Sequence, residues 1–86
     1  MKSPLFIGID VSLLTLDIGT EGESRLQEIA NQDRTIRSWL KTLPAASCIG
    51  VESTGSYHRC LVRLAIEAGH TVYLLNARGL SHSAEL

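Results

Sequence analysis

Two short segments constrain this chain more than anything else in it: Ile7-Gly8-Ile9-Asp10 and Ile49-Gly50-Val51-Glu52. Both read apolar, glycine, apolar, acid, and in both the acid arrives as the apolar run gives out. Side chains on an extended backbone alternate between faces. Gly8 therefore shares a face with Asp10, and Gly50 with Glu52, while Ile7, Ile9, Ile49 and Val51 point the other way. Each acid sits beyond a patch of sheet cleared of side chains, where another element or a ligand can approach closely. Laid side by side and parallel, the two strands would bring Asp10 and Glu52 to one edge, about one strand spacing (~5 Å) apart. Carboxylates that close repel unless a proton or a cation lies between them. The pair is a candidate metal site.

The remaining pattern supplies the elements that would set those strands side by side. Met1–Pro4 is a frayed lead-in, and Leu5–Val11 is Ile-rich and nearly continuously apolar, as in a central strand covered on both faces. Leu13–Ile18 follows after a very short break and reads as an antiparallel partner. Gly19-Thr20-Glu21-Gly22-Glu23 is the next turn, and Arg25–Ala30 alternates like a polar edge strand. Asn31 is placed as a helix N-cap, with Asp33 in the first turn, where the helix dipole favours an anion. Ile36, Trp39, Leu40 and Leu43 recur at helical spacing, Arg34, Arg37 and Lys41 form the solvated face, and Pro44 ends the helix. Ala46–Glu52 is the next core strand. Tyr57, Cys60, Leu61, Leu64, Ala65 and Ala68 make a second amphipathic helix closed by Gly69, and Thr71–Leu75 is a further strand. Asn76–Leu86 carries no complete pattern, and 77–86 reads as flexible or as the start of another element.

The predicted order is thus β-β-β-α-β-α-β. Three successive strands form a meander, and right-handed strand–helix–strand crossovers then add parallel strands. The resulting fold class is α/β, with a mixed sheet in spatial order 3-2-1-4-5. In it the first and fourth strands are neighbours, so Asp10 and Glu52 fall at adjacent carboxyl ends, the usual place for a site in an open α/β sheet.

The 86 residues suffice for one small domain. The formal charge of −1 excludes a self-sufficient basic nucleic-acid binder, so phosphate contact would lean on metal ions or on segments outside these residues. Cys48 and Cys60 have no CxxC spacing and read as reduced core thiols. The apolar run Leu5–Ile9 is too short for a secretion signal, and no segment approaches membrane-spanning length, which predicts a cytosolic protein with no membrane partner. His58, His70 and His82 share no ligand spacing.

Gly8-Ile9-Asp10-Val11-Ser12, Leu16-Asp17 and Gly50-Val51-Glu52-Ser53-Thr54-Gly55-Ser56-Tyr57 resemble the amino-terminal motifs of DEDD-type transposases, insertion-sequence enzymes related to the Piv DNA invertase. Gly69-His70-Thr71-Val72-Tyr73-Leu74-Leu75-Asn76 is similar to the helix–Gly–strand–Asn segment that follows in that family. The resemblance spans essentially the whole chain. Leu13 stands where a lysine is common, and Ala77 where a proline usually follows the Asn.

That resemblance implies a ribonuclease-H-like fold of the Holliday-junction-resolvase (RuvC-like) type, with residues 1–86 forming part of a single catalytic domain. It implies four acids, Asp-Glu-Asp-Asp, that hold divalent metal for DNA cleavage and strand transfer. Asp10 matches the first and Glu52 the second. The other two belong to a Lys-Thr-Asp-type segment on a later helix that these residues do not contain, so metal binding is expected to be weak and cleavage absent. Mg²⁺ or Mn²⁺ suits hard carboxylate ligands that leave positions for water and phosphate. DNA is the implied partner, and a structured guide RNA serves some members. Because Glu52 immediately precedes the predicted helix, the Ser53, Thr54, Gly55 and Ser56 backbone is a candidate phosphate cradle, with Ser53 or Thr54 more simply capping that helix. Ser12 is a further residue near the site, and Asp17 on the neighbouring strand is a possible extra acid.

Two other classes compete. An actin- or sugar-kinase-like nucleotide-binding half-domain shares the meander and the Gly-Ile-Asp opening, but normally carries a Gly-Thr phosphate turn where Leu13-Leu14 follows Ser12. A non-catalytic assembly fragment would self-associate through an uncovered sheet face.

Overall fold

The structure, a computed structural model, describes residues 4–53, 55–75 and 81–82. The elements in chain order are β1 (Phe6–Val11), β2 (Thr15–Thr20), β3 (Gln27–Ala30), α1 (Asp33–Leu40), β4 (Cys48–Ser53), α2 (Arg59–Glu67), β5 (Thr71–Leu75) and β6 (Ser81–His82). They form one α/β unit with a mixed sheet in the order β3-β2-β1-β4-β5-β6. Strands β1, β4 and β5 run parallel, and β2, β3 and β6 are antiparallel to their neighbours.

The predicted order holds for the first five strands, and β6 adds an outer strand within the stretch read as patternless. The rest of 77–86 lies outside the described residues. Both crossovers, β3 to β4 through α1 and β4 to β5 through α2, step in the same direction across the sheet. Right-handed connections therefore set α1 and α2 on one face. Ile7, Ile9, Val11, Leu16, Ile18, Ile49, Val51 and Val72 turn to that face and bury against Ile36, Trp39 and Leu40 of α1 and Leu61, Val62, Leu64 and Ala65 of α2. Truncating Leu16 or Ile49, both at 0% exposure, to Ala would cost about 2–5 kcal/mol, a large share of a small domain's stability.

The other face differs from the reading of β1 as a strand covered on both sides. Its burial alternates strictly, with Phe6, Gly8 and Asp10 exposed and Ile7, Ile9 and Val11 buried. No described helix lies over that face.

Three element ends also differ from the sequence reading. Leu13 and Leu14 fall in an exposed turn, because Ser12 donates from its backbone N–H (3.0 Å) and its Oγ (3.1 Å) to the Thr15 carbonyl and closes the chain there. Gly19 joins the ladder opposite Gly8 instead of opening a turn, and the chain reverses around Gly22 at φ +88°. Arg25 and Leu26 precede β3, which pairs only from Gln27.

Gly69 closes α2 as expected. At φ +92° it donates to the Ile66 carbonyl (3.0 Å) while His70 donates to Ala65 (3.0 Å), the paired bonds of a Schellman ending. Outside the core, Asp33 pairs with Arg37 and Arg63, and Arg63 with Glu67, linking α1 to α2. The Arg37 hydrogen bond holds the Asp33 carboxyl below its ordinary range and raises the guanidinium in turn. These side chains are about half exposed, so the link adds little stability.

Candidate metal and phosphate site

In the parallel β1–β4 ladder Asp10 is the Cα partner of Glu52, and Gly8 is the partner of Gly50. The antiparallel β1–β2 ladder sets Asp17 opposite Asp10 and Gly19 opposite Gly8. Glu28 of β3 lies opposite Asp17. Directly opposed residues share a face. The bare face therefore carries a row of acids, Glu28–Asp17–Asp10–Glu52, and next to it a row of glycines, Gly19–Gly8–Gly50. Neighbouring strands lie about 4.8 Å apart.

The glycine row is not demanded by the backbone. None of the three takes a positive φ, the described glycines that do being Gly22, Gly55 and Gly69. A Cβ on Gly8 would meet nothing within 4 Å, and one on Gly50 would make only ordinary contacts, 3.6 Å to Leu75 Cδ1 and 3.9 Å to the Ile7 carbonyl. What their absent side chains provide is a shallow trough of about 300 Å³, floored by Gly8, Gly19 and Gly50 and edged by Asp10, Asp17, Glu52, Leu26 and Leu75. Sheet backbone, apolar rims and carboxylates thus border one opening.

Among the described residues, no three His, Cys, Asp or Glu side chains are gathered into a group that could hold a metal ion. The donor set is a pair, Asp10 and Glu52. A pair of hard oxygen ligands still fits Mg²⁺, which is commonly held through one or two carboxylates and keeps several waters.

The Ser53–Ser56 stretch departs from its predicted role. Helix α2 begins at Arg59, well past Glu52, and its N-cap is His58, which makes no side-chain capping bond. Ser53 is the last residue of β4, so it does not cap the helix. Gly55 (φ +146°) and Ser56 lie in the exposed loop between, so no helix N-terminus stands beside Glu52. Thr54 lies outside the described residues. Ser12 is occupied within the β1–β2 turn, where its Oγ also bonds the Thr15 hydroxyl (3.0 Å). The N-cap assigned to Asn31 is likewise absent: Gln32 is the capping position, without a side-chain bond. The Asn31 amide instead donates to the carbonyls of Ser12 (2.9 Å) and Tyr57 (3.0 Å), which the sequence reading missed.

Both cysteines are free thiols: Cys60 packs half-buried against the core as expected, whereas Cys48, opposite Phe6, lies on the bare face and is not a core thiol. His70 is buried, and its Nδ1 accepts the Ser47 backbone N–H (3.0 Å). No described helix is long and apolar enough to cross a membrane. Compared with protein-family models and with curated proteins, the chain matches none.

Proposed function

We propose that this chain is the amino-terminal part of a metal-dependent transposase catalytic domain of the DEDD type, with a ribonuclease-H-like (RuvC-like) sheet. The observation that carries the reading is the pairing of Asp10 with Glu52 on one rung of parallel strands. That is the relation which the Gly-Ile-Asp and Gly-Val-Glu-Ser-Thr-Gly-Ser-Tyr motifs require if their acids are to act together.

Asp10 and Glu52 would hold a divalent cation of the Mg²⁺ or Mn²⁺ type, which supplies Lewis-acid stabilisation of charge at a phosphodiester. The chain's own residues contribute position. The ladder sets the two acid-bearing backbones side by side, and the glycine floor lets a nucleic-acid backbone lie close to the sheet. Asp17 adds a third negative charge beside Asp10 and is the best placed extra acid. With a net charge of −1, the domain would bind DNA through the cation and through parts of the protein beyond these residues.

Two measurements test the reading. Mn²⁺ titrated into the ¹⁵N-labelled chain should broaden the amide signals around Asp10 and Glu52 first, and Asp10→Ala or Glu52→Ala should abolish that selectivity. Supercoiled plasmid incubated with these 86 residues and Mn²⁺ should remain intact, since the resemblance places two more acids on a later helix. Uniform broadening over all surface acids would remove the metal site. Efficient nicking that depends on Asp10 would show instead that the two acids suffice.

A further inference from the structure

Asn31 lies half-buried between β3 and α1, and its hydrogen bonds join three separate pieces of chain. Its backbone N–H donates to the Leu14 carbonyl (2.9 Å), and its side-chain Nδ2 donates to the carbonyls of Ser12 (2.9 Å) and Tyr57 (3.0 Å). Ser12 and Leu14 belong to the turn that leaves β1 just after Asp10. Tyr57 belongs to the loop that leaves β4 just after Glu52. All of these loops lie at the sheet edge where β1, β3 and β4 end and β2 begins, as the registers require.

The β1–β4 ladder ends at Val11 and Ser53, one rung past the acids. Beyond it, the exits of the two acid-bearing strands are tied through one primary amide. The two N–H bonds of that amide diverge at about 120°, so using both narrows the range of separations open to the two carbonyls. Asp10 and Glu52 repel each other across the last rungs, and like charges directly opposite weaken a sheet locally. A strap just past them opposes that splaying.

We propose that Asn31 is a positioning residue for the Asp10–Glu52 pair: by holding the Ser12 and Tyr57 carbonyls on one amide, it fixes the gap that a divalent cation must span. The inference rests on the metal reading above. Its role resembles that of groups that orient metal ligands without touching the ion, whose loss typically lowers metal affinity about ten- to a hundredfold.

The experiment compares the wild-type chain with Asn31→Ala, which has no side-chain donor, and Asn31→Gln, which keeps both donors on a longer stem. Mn²⁺ affinity is read from broadening of the Asp10 and Glu52 amides, and amide hydrogen exchange is followed at Ile9 and Val51 in the core strands. Asn31→Ala should weaken Mn²⁺ binding about tenfold while the core amides keep their protection, and Asn31→Gln should recover part of the loss. Unchanged affinity in Asn31→Ala, with binding still abolished by Asp10→Ala, overturns the positioning role and leaves the metal site standing. Loss of core protection in Asn31→Ala also overturns it, since the residue would then be holding the fold. Absence of selective broadening in the wild-type chain overturns the metal reading, and this inference with it.

Discussion

Asp10 has a carboxylate for a neighbour on both sides: Asp17 faces it across the antiparallel ladder and Glu52 across the parallel one. Like charges directly opposite one another weaken a sheet. Without a counter-charge the row should therefore carry a cost, and that cost is measurable.

Neutralising the central member should therefore stabilise the metal-free protein. Asp10→Asn removes repulsion on two sides at once and should raise Tm in EDTA by about 2–5 °C. In millimolar Mn²⁺ the order should reverse its trend: the wild-type protein gains Tm by mass action and the variant does not. A fall in Tm for Asp10→Asn in EDTA would mean that the row carries no electrostatic strain.

Gly8 is open to a similar argument from sterics. Glycine inside a strand costs about 0.5–1 kcal/mol relative to Ala. Since a Cβ there would meet nothing within 4 Å, Gly8→Ala should raise stability by about that amount in urea denaturation. Gly50→Ala should gain at least as much, because its Cβ would make an ordinary packing contact with Leu75 Cδ1 at 3.6 Å. If the glycines keep the trough clear for a ligand, both variants should bind Mn²⁺ as before yet lose affinity for a nucleic-acid strand added with it.

His70 gives a pH dependence with a definite sign. Burial lowers its pKa from the ordinary 6.5, and its Nδ1 must stay unprotonated to accept the Ser47 N–H. The unfolded chain takes up the proton first. The stability that His70 contributes is thus complete above pH 6.5 and is lost as pH falls from there through the lowered folded value. Chemical denaturation between pH 8 and pH 5 should show the decline, and His70→Asn, whose Oδ1 can replace the Nδ1 acceptor, should flatten it. An unchanged slope in that variant would assign the decline to other groups.

The bare sheet face also predicts association. Phe6 (51% exposed), Leu26 (74%) and Tyr73 (38%) present apolar surface on or beside it. Sedimentation velocity at rising concentration should show reversible self-association, reduced in Leu26→Lys. A strict monomer throughout would indicate that this face is quiet in water.

Much of the site was legible from the chain alone, and the reason lies in two regularities. Strict alternation placed Gly8 with Asp10 and Gly50 with Glu52, and the handedness of crossovers made β1 and β4 neighbours. Both rules act locally or through topology, without detailed side-chain contacts. Asn31 escaped because its partners, Ser12 and Tyr57, are 19 and 26 positions away, while its local context is that of an ordinary cap. The start of α2 was misplaced for a related reason. Ser53-Thr54-Gly55-Ser56 carries strong capping chemistry, yet the bond from Asn31 to the Tyr57 carbonyl and the Gly55 backbone belong to a loop that turns helical only at Arg59. β6 is two residues long, too short for any periodicity to register.

The in-and-out alternation of β1 has one more consequence. Were this strand to slip by a single residue against its neighbours, Ile7, Ile9 and Val11 would be driven into water and Asp10 pulled beneath the helices. Misregistered molecules would forfeit three fully buried apolar side chains and bury a carboxylate in their place, so they should be too rare to matter. The placement of the acid is thereby guarded by greasy side chains on the far side of the same ribbon, none of which ever meets a ligand.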